Sequence, residues 1–323
     1  MRRNRACVAL LLTLGLTVQG ACFPQGKPDS SVGSSTGKVA KSPKEKRQFP
    51  KVAKRPEVRH YTRVTKDARG NPKALEIAIG RFVPADPAKR KGGPTVDLVG
   101  AVHVGETDYY KKLNDEFKKY DVVLYELVAP EGTQPEAGAS SGNPISGLQN
   151  GMTSALNLKH QLDSVDYQRP NFVHADMSPE ELAKSMRDRK ENLVAMFARA
   201  MGYAIAKESG DPFGGSNAKM MGALFAENQA LALRRVFAQQ MIDMGGMIQA
   251  MEGPEGSSII SQRNKKALEG LRRELKAGKK KIAIFYGAGH MADMEKRLRD
   301  EFGLTRQGLR WLPAWRLDRV TTP

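Results

Sequence analysis

The stretch VGAVHVGETDYYKKLNDEF (residues 99–117) returns in altered form near the end of the chain, as YGAGHMADMEKRLRDEF (residues 286–302). Each copy places Gly-x-x-His after an apolar run and before a charged stretch with apolar residues at helical spacing. Aligned on Asp108 and Asp293, the two charged stretches share six of ten residues. Each copy therefore predicts a strand that ends at a histidine and turns into a helix.

The rest of the chain extends these two corners into an α/β fold. Apolar alternation on both sides of ARGNPK (68–73) predicts a hairpin. Three segments are near-continuous apolar runs, as in strands buried on both faces: TVDLVGAVHVG (95–105), DVVLYELV (121–128) and KKIAIFYGAGH (280–290). The strand–helix–strand order predicts a parallel pair with a right-handed crossover. We expect a mostly parallel or mixed sheet with flanking helices, and a helical insertion at about 145–277 between the two strand-GxxH-helix units.

The N-terminal part has the composition of a leader and a tether. Residues 1–22 combine a basic start with an apolar run too short to span a membrane, which predicts a signal peptide. Cys22 stands where a bacterial lipoprotein carries its lipidated cysteine; plain secretion is the alternative. Residues 23–58 are rich in Ser, Gly, Pro and Lys and predict a disordered basic linker. The folded α/β domain is expected over residues 59–323.

The net charge of +17 does not predict a nucleic-acid partner, because it is concentrated at the N-terminus. The first 60 residues hold 13 Lys/Arg and 3 Asp/Glu, a net of +10. A basic linker suits the surface of an anionic membrane, so we expect an exported protein, either lipid-anchored to a bacterial membrane or periplasmic or secreted. Cys7 lies in the signal, which excludes an internal disulfide after processing. No sequence feature indicates the oligomeric state.

Three potential ligands follow the predicted parallel strands, at the sheet edge where open α/β folds bind ligands. His103 and His290 end the two duplicated corners, and Glu126 ends the strand after the first helix. Two histidines and one carboxylate leave positions open for water and substrate, which suits a catalytic divalent metal such as Zn, Mn or Co. We therefore predict that the three side chains converge within a few ångströms.

Four sequence blocks resemble the TraB/TIKI/GumN superfamily, in the family order and over about residues 95–300. They are GAVHVG, VVLYELV, SQRNKKALEGL and YGAGHMADMEKRL. The resemblance implies a fold related to erythromycin-esterase-like proteins and to haem-binding ChaN-type lipoproteins. For the TIKI branch it implies metal-dependent peptidase activity. By motif match it assigns the site to His103, Glu126, Arg263 and His290, with Asn264 beside them.

Other polar residues near these motifs have candidate roles. Arg263 could clamp a substrate carboxylate or orient Glu126, whereas a surface arginine is the alternative. Asp176 ends another short strand and could support the site, or belong to a turn. Tyr286 could donate a hydrogen bond in the pocket. His174 is expected to be a satisfied interior or loop residue, and His160 to be solvated on a polar helix.

The sequence favours an exported metal-dependent hydrolase that acts on peptide (amide) bonds of a peptide or small-molecule substrate. One alternative is a ligand- or haem-binding lipoprotein, in which one dominant histidine is an axial ligand beside an apolar slot. Another is an esterase-like hydrolase in which a histidine acts as the base without metal. A peptide binder that has lost activity is the remaining possibility.

Overall fold

The computed structural model describes residues 61–136, 151, 153–208, 216–252 and 255–320. It has the predicted α/β class, with a seven-stranded mixed sheet flanked by helices. The strands in chain order are β1 (Thr62–Lys66), β2 (Pro72–Pro84), β3 (Thr95–Ala101), β4 (Val104–Gly105), β5 (Val122–Tyr125), β6 (Lys159–His160), β7 (Phe172–His174), β8 (Lys281–Gly287) and β9 (Leu304–Arg316). The strand order is β1-β2-β3-β8-β5-β7, with β9 beside β2, and β4 and β6 form a separate pair.

The helices connect these strands and cover the sheet. They are α1 (Thr107–Phe117), α2 (Gln161–Ser164), α3 (Pro179–Asp188), α4 (Leu193–Glu208), α5 (Ser216–Leu224), α6 (Gln229–Glu252), α7 (Arg263–Lys276) and α8 (Met291–Phe302). A π-helical turn, Ser258–Gln262, leads into α7, and short 3-10 turns lie at Pro87–Lys89 and Ala288–His290. Among the described helices, none is both long and apolar enough to cross a membrane.

The two duplicated corners follow adjacent parallel strands. β3 pairs in parallel with β8, and the register places Ala101 opposite Gly287. β8 pairs in turn with β5, and β5 with β7, again in parallel. Four strands therefore end at one edge of the sheet, and β8 lies between β3 and β5 although it comes last of them in the chain. Because β3 and β8 are parallel neighbours, the two duplicated corners share one edge of the sheet.

Apolar residues at helical spacing hold helices on both faces of the sheet. On α1, Tyr109, Leu113 and Phe117 recur at helical spacing and are buried in one core layer. On the other face, α7 and α8 bury Leu268 and Met294, among others, in a second layer. Each such side chain contributes about 1.5–3 kcal/mol by leaving water. The strands between are buried from both sides, as their unbroken apolar runs predict.

The region between the duplicated units is more than a helical insertion. β7 lies within residues 145–277 and joins the sheet, and α7 packs against the sheet at Gly270. The helices α4, α5 and α6 pack together and form an added helical layer. The predictions for residues 1–58, including lipidation of Cys22, lie outside the described residues.

Candidate functional site

Glu126 occupies the centre of the shared sheet edge. It follows β5, and its backbone N–H donates to the carbonyl of Phe285 on β8 over 3.1 Å. Its carboxylate Oε2 accepts the backbone N–H of Gly287 at 2.6 Å. Oε1 accepts from Nη2 of Arg263 at 2.6 Å and lies 3.5 Å from Nε2 of His290. A glycine at 287 suits this approach, since a Cβ there would come within 3.3 Å of Oε2.

Arg263 contacts the carboxylate of Glu126 and is itself held by Asp176. The guanidinium of Arg263 donates two hydrogen bonds to Asp176, Nε to Oδ1 at 2.9 Å and Nη2 to Oδ2 at 2.6 Å. Arg263 is 1% exposed, so the surface-arginine alternative is wrong. Burial alone would lower the pKa of Arg263, but Asp176 and Glu126 raise it well above its ordinary value. The predicted supporting role of Asp176 corresponds to this bidentate contact.

The start of α7 places Arg263 and Asn264 next to each other inside the protein. Ser257 caps the preceding π-helical turn, with its side chain accepting the N–H of Ile260. Gly256, with φ +70°, allows the chain to reverse before that turn. The wide turn and the following helix bury both polar residues under the sheet edge. Such π-helical segments occur frequently at functional sites.

Asn264 fixes the ring of His290. Its Nδ2 donates to Oδ2 of Asp293 at 2.8 Å and to the carbonyl of His290 at 3.2 Å. Its Oδ1 must therefore accept, and it lies 2.7 Å from Nδ1 of His290. The imidazole then carries its proton on Nδ1 and directs the lone pair of Nε2 toward Glu126. The residue paired with Arg263 in the motif thus sets the tautomer of the second histidine.

The pKa values of Glu126 and His290 are both lowered. Burial alone would raise the pKa of Glu126, but Arg263, the two histidines and the N–H of Gly287 lower it to about 2. Burial is the largest influence on His290 and lowers its pKa to about 4, against the opposing effect of Glu126. Near neutral pH the carboxylate is therefore ionised and the imidazole is neutral. Both groups then present lone pairs.

His103 lies at the same edge, in the bend between β3 and β4. It is half-buried, and no hydrogen bond to its ring joins it to the described part of the chain. Burial lowers the pKa of His103; the charge of Glu126 raises it and that of Arg263 lowers it further. These effects place His103 within electrostatic range of the carboxylate, while the direct contact is that of Glu126 with His290. Within the described ranges, no three His, Cys, Asp or Glu side chains form a ready metal-binding group.

Two predicted roles have clear outcomes. The hydroxyl of Tyr286 does not serve the pocket, because it donates to the carbonyl of Ala175 at 2.5 Å; the ring instead packs edge-on against His290 at 5.3 Å. The satisfied interior role of His174 is confirmed. Its Nε2 lies 2.6 Å from the carbonyl of Leu127, and its Nδ1 accepts the N–H of Gly132.

Sequence reasoning missed two residues near the first corner. His160 is not on a solvated helix: it is half-buried in β6, whose partner is Val104 of β4, directly after His103. Arg234 of α6 is fully buried and donates to Glu106 at 2.8 Å. Arg234 lies within the apolar run ALALRRVF, and this position was a local signal that its side chain is buried. No local signal marked His160.

Comparison of the chain with protein-family models, with curated protein sequences and with solved structures gave no match.

Proposed function

We propose that the protein is a hydrolase of amide bonds, in which Glu126, His290 and His103 surround the reacting water. The main support for this proposal is a pair of unprotonated groups at the sheet edge. Oε1 of Glu126 lies 3.5 Å from Nε2 of His290. Ionised carboxylate and neutral imidazole are the states in which these side chains accept a proton or bind a cation. Resemblance to the TraB/TIKI/GumN superfamily supports the same reaction class.

The residues suit a divalent metal by their chemistry. Metal ligands must be deprotonated, and the shifted pKa values of Glu126, His290 and His103 meet this condition. A bound Zn, Mn or Co ion would supply a Lewis acid that polarises a carbonyl and acidifies water. Asn264 supports this assignment, because a hydrogen bond to the far nitrogen fixes the orientation of a ligating histidine.

The surrounding residues prepare Glu126 for its role. Arg263 holds one carboxylate oxygen and Gly287 the other, so the carboxylate has a fixed orientation. The contacts of Arg263 with Asp176 and Glu126 favour the orienting role over the substrate clamp. The N-terminus of α8 follows His290 directly, and its partial positive charge favours a developing oxyanion near this edge.

A second candidate is a hydrolase in which His290 takes the proton of water without a metal. The direct Glu126–His290 contact favours it, because the carboxylate would stabilise the imidazolium that forms. The two candidates differ in one measurable property, the dependence of hydrolysis on bound metal.

Export and lipidation belong to the same proposal. A signal at residues 1–22 and a lipid on Cys22 would place the site outside the cytoplasm, tethered by the basic linker 23–58. Replacement of Cys22 by serine is expected to release the protein from the membrane fraction, which fractionation measures. Retention of the Cys22→Ser variant in the membrane would contradict lipidation without affecting the proposed activity.

The test of function combines metal analysis with hydrolysis of a peptide and ester panel. The variants are Glu126→Gln, His290→Asn and His103→Ala, and the control is Asp108→Asn, an exposed carboxylate near His103. Loss of both metal and activity in the first three supports the metallohydrolase. If the wild type is active without bound metal and the same variants lose that activity, the histidine base is supported. Activity that survives all three changes contradicts both, and a Soret band after incubation with haem would favour the binding alternative.

A further inference from the structure

A short pair of strands, β4 and β6, places His160 beside the first histidine corner. Val104 pairs with His160 in the β4–β6 ladder, and the backbone N–H of Gln161 donates to the carbonyl of His103 at 2.8 Å. The segment that carries His160 is therefore bonded to the chain on both sides of the His103 side chain. This contact brings a third histidine to the edge that holds Glu126 and His290.

The tautomer of His160 follows from its place at the start of α2. Its Nδ1 accepts the backbone N–H of Leu162 at 3.3 Å, as a helix cap. A ring nitrogen that accepts a hydrogen bond carries no proton, so the neutral ring carries its proton on Nε2.

The proton on Nε2 has no acceptor in the described part of the protein. Nε2 of His160 is buried and makes no hydrogen bond there. Buried donors are almost always paired, because leaving one unpaired is costly, so this N–H is available to an acceptor that the described chain does not supply, such as a ligand oxygen. A protonated nitrogen has no lone pair for a metal, which separates His160 from the ligand candidates His103 and His290. The group it can bind is an oxygen atom.

We propose that His160 is a substrate-binding residue whose Nε2–H donates to a carbonyl or carboxylate oxygen of the substrate beside His103. The role as a substrate contact in hydrolysis rests on the proposed function, whereas the binding of an oxygen acceptor does not. A fixed N–H donor at this place would orient the carbonyl group toward the reacting water. It would also strengthen as negative charge develops on that oxygen.

Two substitutions separate the two nitrogens of the ring. In His160→Asn, the side-chain oxygen replaces Nδ1 as the cap of α2, and nothing replaces the Nε2–H donor. In His160→Gln, the longer amide places an N–H near the position of Nε2, and the cap is lost. The first variant is therefore expected to fold like the wild type and bind poorly. The second is expected to be less stable and to bind well.

The probe is N-acetyl-alanyl-alanine, which offers amide carbonyls and a carboxylate. Its Kd is measured by calorimetry, and the ring nitrogens of His160 in the wild type are followed by NMR. We expect the Nε2–H signal to shift on saturation, and His160→Asn to raise the Kd about tenfold, with His160→Gln within about threefold of wild type. The same ranking is expected in kcat/KM for a hydrolysed panel peptide.

The outcomes distinguish this proposal from the proposed function. An unshifted Nε2–H signal at saturating dipeptide, or a His160→Asn variant with wild-type Kd, overturns the role of His160, whether or not the protein hydrolyses peptides. Dipeptide binding that depends on His160 in a protein without hydrolytic activity supports His160 and contradicts the proposed hydrolase. The NMR result is obtained on the wild type, so it does not depend on the folding of either variant.

Discussion

Oε1 of Glu126 lies 3.5 Å from Nε2 of His290, although the first residue follows β5 and the second follows β8. Each of the two is held in place by other buried residues. Arg263 and Asp176 support the carboxylate, and Asn264 holds the imidazole in one tautomer. The result is an ionised acid beside a neutral base at the end of a buried parallel sheet.

Removing the charge of Glu126 is expected to abolish most of the activity without unfolding the protein. Glu126→Gln should lower kcat/KM roughly 10²–10⁴-fold, because a neutral amide neither binds a cation as a carboxylate does nor stabilises the imidazolium of His290. The measurement is the hydrolysis rate of a panel peptide, with circular dichroism to check the fold. Asp108→Asn should retain wild-type activity. A Glu126→Gln variant with wild-type kcat/KM would exclude Glu126 from the reaction.

Removing Arg263 is expected to destabilise the fold. Arg263→Met leaves the buried carboxylates of Asp176 and Glu126 without their counter-ion, at a cost of about 3–5 kcal/mol in the free energy of unfolding. Urea unfolding measures the change. The control is Lys184→Met, which removes an exposed pair with Asp188 and should cost less than about 1 kcal/mol. Similar losses in the two variants would mean that the buried cluster is not what stabilises this edge.

Replacing Asn264 by a carboxylate is expected to raise the pKa of His290 from its value of about 4. In Asn264→Asp a negative charge faces the N–H of Nδ1, which stabilises the imidazolium. NMR titration of the His290 ring measures the pKa, and the acid limb of the pH–rate profile should move to higher pH with it. Asn71→Asp, in an exposed turn, is the control and should leave both unchanged. An unmoved His290 pKa would show that Nδ1 does not face residue 264.

The free energy of unfolding of the metal-free protein is expected to fall on acidification. His290 titrates at about 4 in the fold and near 6.5 in the unfolded chain, so between these pH values the unfolded chain binds more protons. Glu126, with a pKa of about 2, adds a loss in the same direction as pH falls below its ordinary pKa. We expect a loss of roughly 1–3 kcal/mol from pH 7 to pH 4.5 in urea unfolding, and a smaller one in His290→Asn. Equal losses would contradict the shifted pKa of His290.

Arg234 is expected to anchor the added helical layer beside the first corner. It is fully buried and donates to Glu106 and to the carbonyls of Leu156 and Asn157. Arg234→Met should therefore lower the free energy of unfolding by about 3–5 kcal/mol, because Glu106 loses its buried partner. Its neighbour Arg235, which donates to the carbonyl of Leu317, is the control, and Arg235→Met should cost about 1 kcal/mol. A reversed order of the two losses would contradict this role.

Local patterns were sufficient to predict the long parallel strands and the two corners. Unbroken apolar runs mark strands buried on both faces, and the spacing of Tyr109, Leu113 and Phe117 marks the buried face of α1. The convergence of strand ends follows from the parallel arrangement. The position of β8 between β3 and β5 could not be predicted, because strand order depends on packing between distant segments.

The polar partners of the site depended on tertiary contacts. The bond between Arg263 and Asp176 joins α7 to the end of β7, and nothing in either local sequence specifies the other residue. The partner of the Tyr286 hydroxyl could not be predicted either, because its acceptor, the carbonyl of Ala175, lies at the end of β7. His160 was assigned to a helix, because its two-residue strand is too short to produce a periodic pattern.

Glu126 and His290 are expected to act as one unit, and a double-mutant cycle in kcat/KM measures the coupling between them. The proteins are the wild type, Glu126→Gln, His290→Asn and the double variant, measured on one panel peptide. We predict that the double variant loses little more activity than either single variant, because each change already disables the unit. A double variant whose loss equals the product of the two single losses would contradict the claim.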